Sequence, residues 1–189
     1  MQYKKFQHVC RLGTKEVEGI EVGTCYVFPK LDGTNASIWL DQDGIVQAGS
    51  RKRHLDESKD GDNAGFCKWV KHQTDIIDYL EQHPTHRLFG EWLVPHSLKT
   101  YRESAWREFY VFDVAVDLVD DGEGDGTDTM RYLPFDEYIT DLVKYGINVI
   151  HPIAVIHNPT YESLTNQIKK NTMLIEDGQG IGEGIVIKN

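Results

Sequence analysis

The sequence predicts an α+β fold with mainly antiparallel sheets and flanking helices. Three observations carry that expectation. Short β-rich runs recur along the chain and stop at Asp-Gly or glycine-rich turn signals. Helices are expected in only three stretches. Strands and helices alternate irregularly, without the repeated strand–helix–strand units of a parallel sheet.

Thr24–Lys30 is β-rich and runs into Asp32-Gly33, a turn dipeptide. Ala36–Leu40 and Ile45–Ala48 flank Asp41-Gln42-Asp43-Gly44, which predicts a hairpin. Residues Asn63–Gln82 place Phe66, Trp69, Val70, Ile76, Ile77 and Leu80 close to helical spacing, with Pro84 just beyond, so one helix is expected. His86–Val94 and Glu108–Leu118 read as strands, and the acidic, glycine-rich stretch up to Thr129 as a hairpin tip. Pro134–Tyr145 starts with proline and ends at Gly146, the polarity of a helix. Val149–Ile156 reads as a strand, Tyr161–Lys170 as a helix and Gly184–Lys188 as a final strand. No internal repeat or Pro/Ser-rich linker divides residues 1–189, so a single domain is expected.

The 189 residues are enough to bury a real core, and 40% hydrophobic with 26% charged residues is ordinary globular composition. The apolar runs are far too short for a transmembrane helix, and Met1-Gln-Tyr-Lys-Lys is not followed by the apolar stretch of a signal peptide. Cys10, Cys25 and Cys67 are odd in number and widely spaced, which argues against a disulfide framework and for a reducing cytoplasm. A net charge of −10 disfavours a general nucleic-acid coat, because phosphate binding relies on Lys and Arg. Six of the acids, however, fall between Asp117 and Asp128, and basic clusters remain at Lys4-Lys5 and Arg51-Lys52-Arg53-His54. A local cationic groove is compatible with an acidic chain.

The sharpest chemical feature is Lys30-Leu31-Asp32-Gly33-Thr34-Asn35. A lysine amine is nucleophilic only when neutral, and its ordinary pKa of about 10.4 leaves roughly one molecule in a few thousand ready at pH 7. Nearby cations or a bound metal raise that fraction. Gly33 would let a nucleotide approach without a Cβ in the way.

This segment resembles the first motif of the covalent nucleotidyltransferases, which include DNA ligases, RNA ligases and mRNA capping enzymes. Further blocks follow in the order expected of that superfamily. Gly49-Ser50-Arg51-Lys52-Arg53 is similar to the second conserved block of RNA ligases, and Phe89-Gly90-Glu91-Trp92 to motif III. Phe109–Val114 is similar to motif IIIa, and Glu183–Lys188 to motif IV. DNA ligases and capping enzymes usually carry Arg two residues beyond the motif I glycine. Asn35 stands there in this chain, and that residue with Ser50-Arg51 resembles the nick-sealing RNA ligases of the phage and RNA-editing types.

The resemblance implies a nucleotidyltransferase adenylation core, akin to ATP-grasp folds, with ATP and Mg²⁺ (or Mn²⁺) as cofactors. Its partner would be RNA with 5′-phosphate and 3′-hydroxyl ends, and no membrane. Lys30 would be the catalytic nucleophile. The nucleotide-binding set would comprise Asp32, Gly33, Asn35, Arg51, Glu91, Phe112 and Lys188. Glu91 and Phe112 would hold adenosine, the first by accepting from ribose hydroxyls and the second by stacking on the purine. Phe112 alternates with Tyr110 and Val114, which would put them on one strand face. Asn35 and Arg51 would contact phosphate or ribose, and Lys188 with Arg51 would neutralise charge on phosphate. Glu183 would support the metal, since Mg²⁺ binds one or two carboxylates plus phosphate and keeps several waters.

Motif V, a Lys-x-Lys strand that contacts the ATP phosphates in the family, would follow motif IV, and the sequence ends at Asn189. A trimmed adenylation core, a further segment or partner that supplies motif V, and impaired catalysis all accommodate this. The rival readings are a DNA ligase or capping-type transferase, or a catalytically impaired module that binds nucleotide or RNA. Two other metal signals fail. Asp121-x-Glu123-x-Asp125-Gly126 mimics the start of a calcium loop, but Tyr132 stands where its bidentate Glu is needed. His83-Pro-Thr-His86 lacks zincin spacing and has no Cys pair nearby.

Overall fold

The structure, a computed structural model, describes residues 1–118 and 130–189. Among them, eight strands form two sheets whose ladders are all antiparallel, joined by a few short helices. The chain packs as two compact units, each with its own sheet. One holds Met1–Phe6, Thr34–Trp92 and Phe109–Val149; the other holds Gln7–Gly33, Leu93–Glu108 and Ile150–Asn189.

The first unit is built on a five-stranded sheet. Its strands are β2 (Thr34–Leu40), β3 (Val46–Ser50), β4 (His86–Trp92), β5 (Phe109–Asp117) and β6 (Met130–Tyr132), in the order β3-β2-β4-β5-β6. Both faces of β2 are covered: Ile38 and Trp39 point oppositely in a strand, yet both are buried. On the Ile38 face, Trp92 and Phe109 pack on Phe66 and Trp69. The Trp39 face is covered by the N-terminal segment. Tyr3 packs on Trp39, Phe6 packs on Phe89, and the Arg87 guanidinium lies over the Trp39 ring while donating to the Gln2 carbonyl.

The single helix expected over Asn63–Gln82 is two helices, α1 (Phe66–Val70) and α2 (Thr74–Gln82). Asn63, Ala64 and Gly65 all have positive φ, so helix cannot begin before Phe66. The Gln73 side-chain amide donates back to the Trp69 carbonyl and Gln73 itself leaves the helical region at ψ 83°, which closes α1 before α2 starts. The periodicity survives the break because both helices bury residues of the same apolar series. Helix α3 (Phe135–Lys144) follows Pro134 and is closed by Gly146 at φ +73°, as the sequence indicated.

The second unit is built on a three-stranded sheet, β7 (Ala154–His157), β1 (Thr24–Lys30) and β8 (Gly184–Lys188), with β1 central. Pro29 lies beyond Val27, the last residue of β1 paired to β7, so the strand tolerates it as an edge position. The strand expected over Val149–Ile156 is only Ala154–His157, because Val149 instead makes an isolated parallel bridge to Val111 in the first unit. The helix expected over Tyr161–Lys170 is α4 (Tyr161–Thr165) continued by a 3-10 segment over Asn166–Lys170. The Thr160 side chain caps α4 by accepting from the Ser163 N–H. Among the described residues, no helix is long and apolar enough to cross a membrane.

Candidate active site

In the second unit, register brings Lys30 and Glu183 together. Lys30 is the last residue of β1 and pairs with Gly184, the first residue of β8. Glu183 therefore sits one residue before the ladder starts, and its carboxylate forms an ion pair with the Lys30 amine. Both side chains are open to solvent, at 45% and 36% exposure. The Asp32-Gly33 dipeptide, read as a turn, does not return the chain to the same sheet. Thr34 starts a strand of the other sheet, so Leu31–Gly33 is a crossing segment.

Asp32, expected among the nucleotide contacts, is buried and hydrogen-bonded within its own unit. Its side chain is 5% exposed. One carboxylate oxygen lies 2.7 Å from His96 Nδ1 and the other accepts from the Leu98 N–H. Its own N–H donates to the Tyr101 hydroxyl at 2.9 Å. Burial pushes its carboxyl pKa up, but hydrogen bonds from Leu98, His96 and Ser97 outweigh burial and hold it below the usual value. Both oxygens are thus engaged within the protein, tying Lys30's exit to His96–Leu98.

Lys188 lies on the same sheet face as Lys30, because residues 184, 186 and 188 alternate with their neighbours and pair with 30, 28 and 26. Four residues of strand, about 13 Å, separate the two levels. The Lys188 ammonium sits over the Phe28 ring, 4.6 Å from its centroid.

In the first unit, register aligns a row across three strands. Asn35 pairs with Glu91, and Glu91 pairs with Tyr110. Directly paired residues share a face, so these three side chains project together. Arg51, exposed, follows Ser50, the last paired residue of β3. Gly90 is explained by backbone proximity: a Cβ there would lie 2.4 Å from the Tyr110 carbonyl oxygen and 2.5 Å from the Phe109 ring. Any larger residue at the glycine of the Phe-Gly-Glu block would thus force β5 or the Phe109 ring to shift.

Phe112 departs from the simple alternation read in the sequence. Phe89 pairs with Asp113 and Gly90 with Val111, leaving Phe112 as a bulged residue. Tyr110 and Val114 therefore fall on opposite sides of the sheet: Tyr110 opposes Glu91, whereas Val114 opposes Leu88. The Phe112 carbonyl accepts from the Tyr138 hydroxyl at 3.2 Å. Its half-buried ring meets Phe6 edge-on, with centroids 4.9 Å apart.

His96 and Tyr101 were not assigned roles around the motifs, and they carry no local signal. Tyr110, grouped with Phe112 in the sequence, is buried and opposes Glu91. The calcium-like stretch Asp121–Gly126 lies outside the described residues. Asp117, grouped with that acidic stretch in the sequence, is structural. It accepts from fully buried Arg87 at 3.2 Å and pairs with Lys4 at 3.1 Å.

The family model described as RNA ligase matches residues 23–189, from just before β1 to the end of the chain. The chain belongs to the RNA ligase family. Comparison with curated protein sequences gives no match. Among solved structures, an archaeal ATP-dependent RNA ligase matches at a TM-score of 0.69 and 19% identity, over 99% of this chain and 45% of that one. A mutant Naegleria gruberi RNA ligase in its apo form matches at 0.63 and 18%, over 92% and 48%. A mutant of that ligase with ATP and Mn matches at 0.61 and 19%, over the same shares. At such identities these likenesses bear on fold, and the RNA ligase-family chain spans about half the length of the solved relatives. They agree with the α+β, mainly antiparallel architecture expected of a nucleotidyltransferase core.

Proposed function

We propose that this chain carries the adenylation chemistry of an ATP-dependent RNA ligase, with Lys30 as the nucleophile. The observation that carries this reading is the Lys30–Glu183 pair at the open ends of β1 and β8, in a chain that belongs to the RNA ligase family. The Lys30 nitrogen attacks the α-phosphorus of ATP as a proton leaves the amine. An N–P bond forms, the P–O bond to pyrophosphate breaks, and lysyl-AMP results. An oxygen of an RNA 5′-phosphate then attacks the same phosphorus and displaces Lys30. Finally a neighbouring RNA 3′-hydroxyl attacks the 5′-phosphate, sealing the strand and releasing AMP.

Glu91 and Asn35, side by side in the register, suit polar contact with ribose and phosphate. Arg51, Lys188 and the backbone at Gly33 are assigned to phosphate, and the Phe112 ring to the base. Asp32 acts through position, by anchoring the segment that leaves Lys30. Glu183 would hold the divalent metal. Among the described residues there is no cluster of three metal-binding side chains, and a single open carboxylate fits an ion that takes its other ligands from water and phosphates. When bound, Mg²⁺ or Mn²⁺ supplies charge neutralisation to the phosphates.

The test follows RNA through the reaction. A nicked RNA with a labelled 5′-phosphate is incubated with the protein, ATP and Mg²⁺. The proposal expects an AMP-capped RNA intermediate and then a sealed strand in which the label resists phosphatase. Sealing without ATP, or AMP transfer to DNA ends only, would move the function to another class.

A further inference from the structure

We infer that Asn171 is a positioning residue for the Lys30–Glu183 pair, an inference that rests on Lys30 being the nucleophile. Asn171 is fully buried, and its side chain holds two backbone carbonyls at one point. Its side-chain amide donates to the Gly184 carbonyl at 2.6 Å and to the Lys30 carbonyl at 3.3 Å. The Asn171 backbone carbonyl separately accepts from the Gly182 N–H at 2.7 Å. The backbone is thus held on both sides of Glu183 and directly behind Lys30.

That support matters because of where the ladder ends. Lys30–Gly184 is the last pair between β1 and β8, so Glu183 lies beyond it. Without another restraint, the residue at a strand end is free to fray. Asn171 supplies the restraint. Its Oδ1 has no hydrogen-bond partner among the described residues, although it is buried. An interior acceptor without a partner is unfavourable, and what this amide offers in return is the double donation to Lys30 and Gly184. Aspartate has no donor to give, and an aliphatic residue would leave both carbonyls without this bond. Gly182 fits the same arrangement, since a Cβ there would lie 2.5 Å from Asn171 Nδ2.

The inference is tested first without nucleotide. Competitive acetylation by acetic anhydride, read by mass spectrometry, compares Lys30 with the other lysines. Asn171→Ala and Glu183→Gln should each raise Lys30 acetylation several-fold, because each loosens the amine from its carboxylate. The double variant should match Glu183→Gln alone, since both act on one pair. With ATP and Mg²⁺, Asn171→Ala should lower the single-turnover rate of lysyl-AMP formation on the order of tenfold to a hundredfold. The ATP concentration for half-maximal rate should stay within about twofold, as expected when geometry and not ground-state binding is lost.

Gly182→Ala, which crowds the amide without removing it, should give the same pattern and carries the test alone if Asn171→Ala does not fold. A Gly182→Ala protein with wild-type Lys30 acetylation overturns the inference. So does a double variant whose acetylation effects multiply, or an Asn171→Ala protein that loses thermal stability while Lys30 acetylation is unchanged. If the acetylation pattern holds but the wild-type protein never carries AMP on Lys30, the positioning stands and the nucleophile assignment fails.

Discussion

The Asp32 carboxylate is held by its own chain on both oxygens, through the Leu98 N–H and His96. Asp32→Asn keeps the shape but puts an amide NH₂ where an acceptor is needed. The expected loss is about 1–3 kcal/mol of stability, the penalty of a buried hydrogen-bonding group left without its partner, measured by urea unfolding at pH 7. The sign with pH follows from the lowered pKa. The contribution is fully present above the unfolded value and disappears as pH falls through the lower folded value. The mutant and wild-type stabilities should therefore begin to converge only as pH falls below about 3.9. At this scale Lys30, Glu91 and Glu183 stand out in the sequence as candidates because each sits in a motif that can be read locally. Asn171, His96 and Tyr101 do not, because each acts on a residue far away in the sequence.

At the scale of elements, β1 and β8 have the limits read from the sequence, because apolar runs closed by turn signals leave little choice of ends. The break between α1 and α2 and the bulge at Phe112 were hidden, since neither disturbs the hydrophobic pattern. The contact between α2 and β4 has a pH consequence. The Tyr79 hydroxyl and His86 Nδ1 are 2.7 Å apart, and burial raises the tyrosine pKa, so the hydroxyl remains the donor. Burial, with His83 beside it, pushes His86 down to about 4, against a weaker opposing pull from Asp141. A depressed histidine leaves stability intact above its unfolded value of about 6.5 and drains it as pH falls toward 4. Unfolding free energy should fall by up to about 3 kcal/mol across that window, and His86→Gln should flatten the decline in equilibrium unfolding. At the end of β5, Asp117→Ala removes the carboxylate that Arg87 meets in a fully buried position. A loss of about 3–5 kcal/mol is expected, read as a lowered denaturation midpoint.

At the scale of the molecule, each unit is assembled from three separate segments. No linker or shift in composition marks such a division, which is why the sequence reads as continuous. Gly33 closes one segment and Thr34 opens the next, so a single motif contributes residues to both units. Family membership and fold were legible because ordered motifs span most of the chain, and the family match covers residues 23–189. The central claim is that Lys30 captures AMP. It is tested most directly by the intact mass of the protein after incubation with ATP and Mg²⁺, with peptide mapping of any adduct. The account predicts one AMP per wild-type chain, mapped to Lys30, and none on Lys30→Ala. An AMP adduct that persists on Lys30→Ala, or that maps to Lys188, would contradict it.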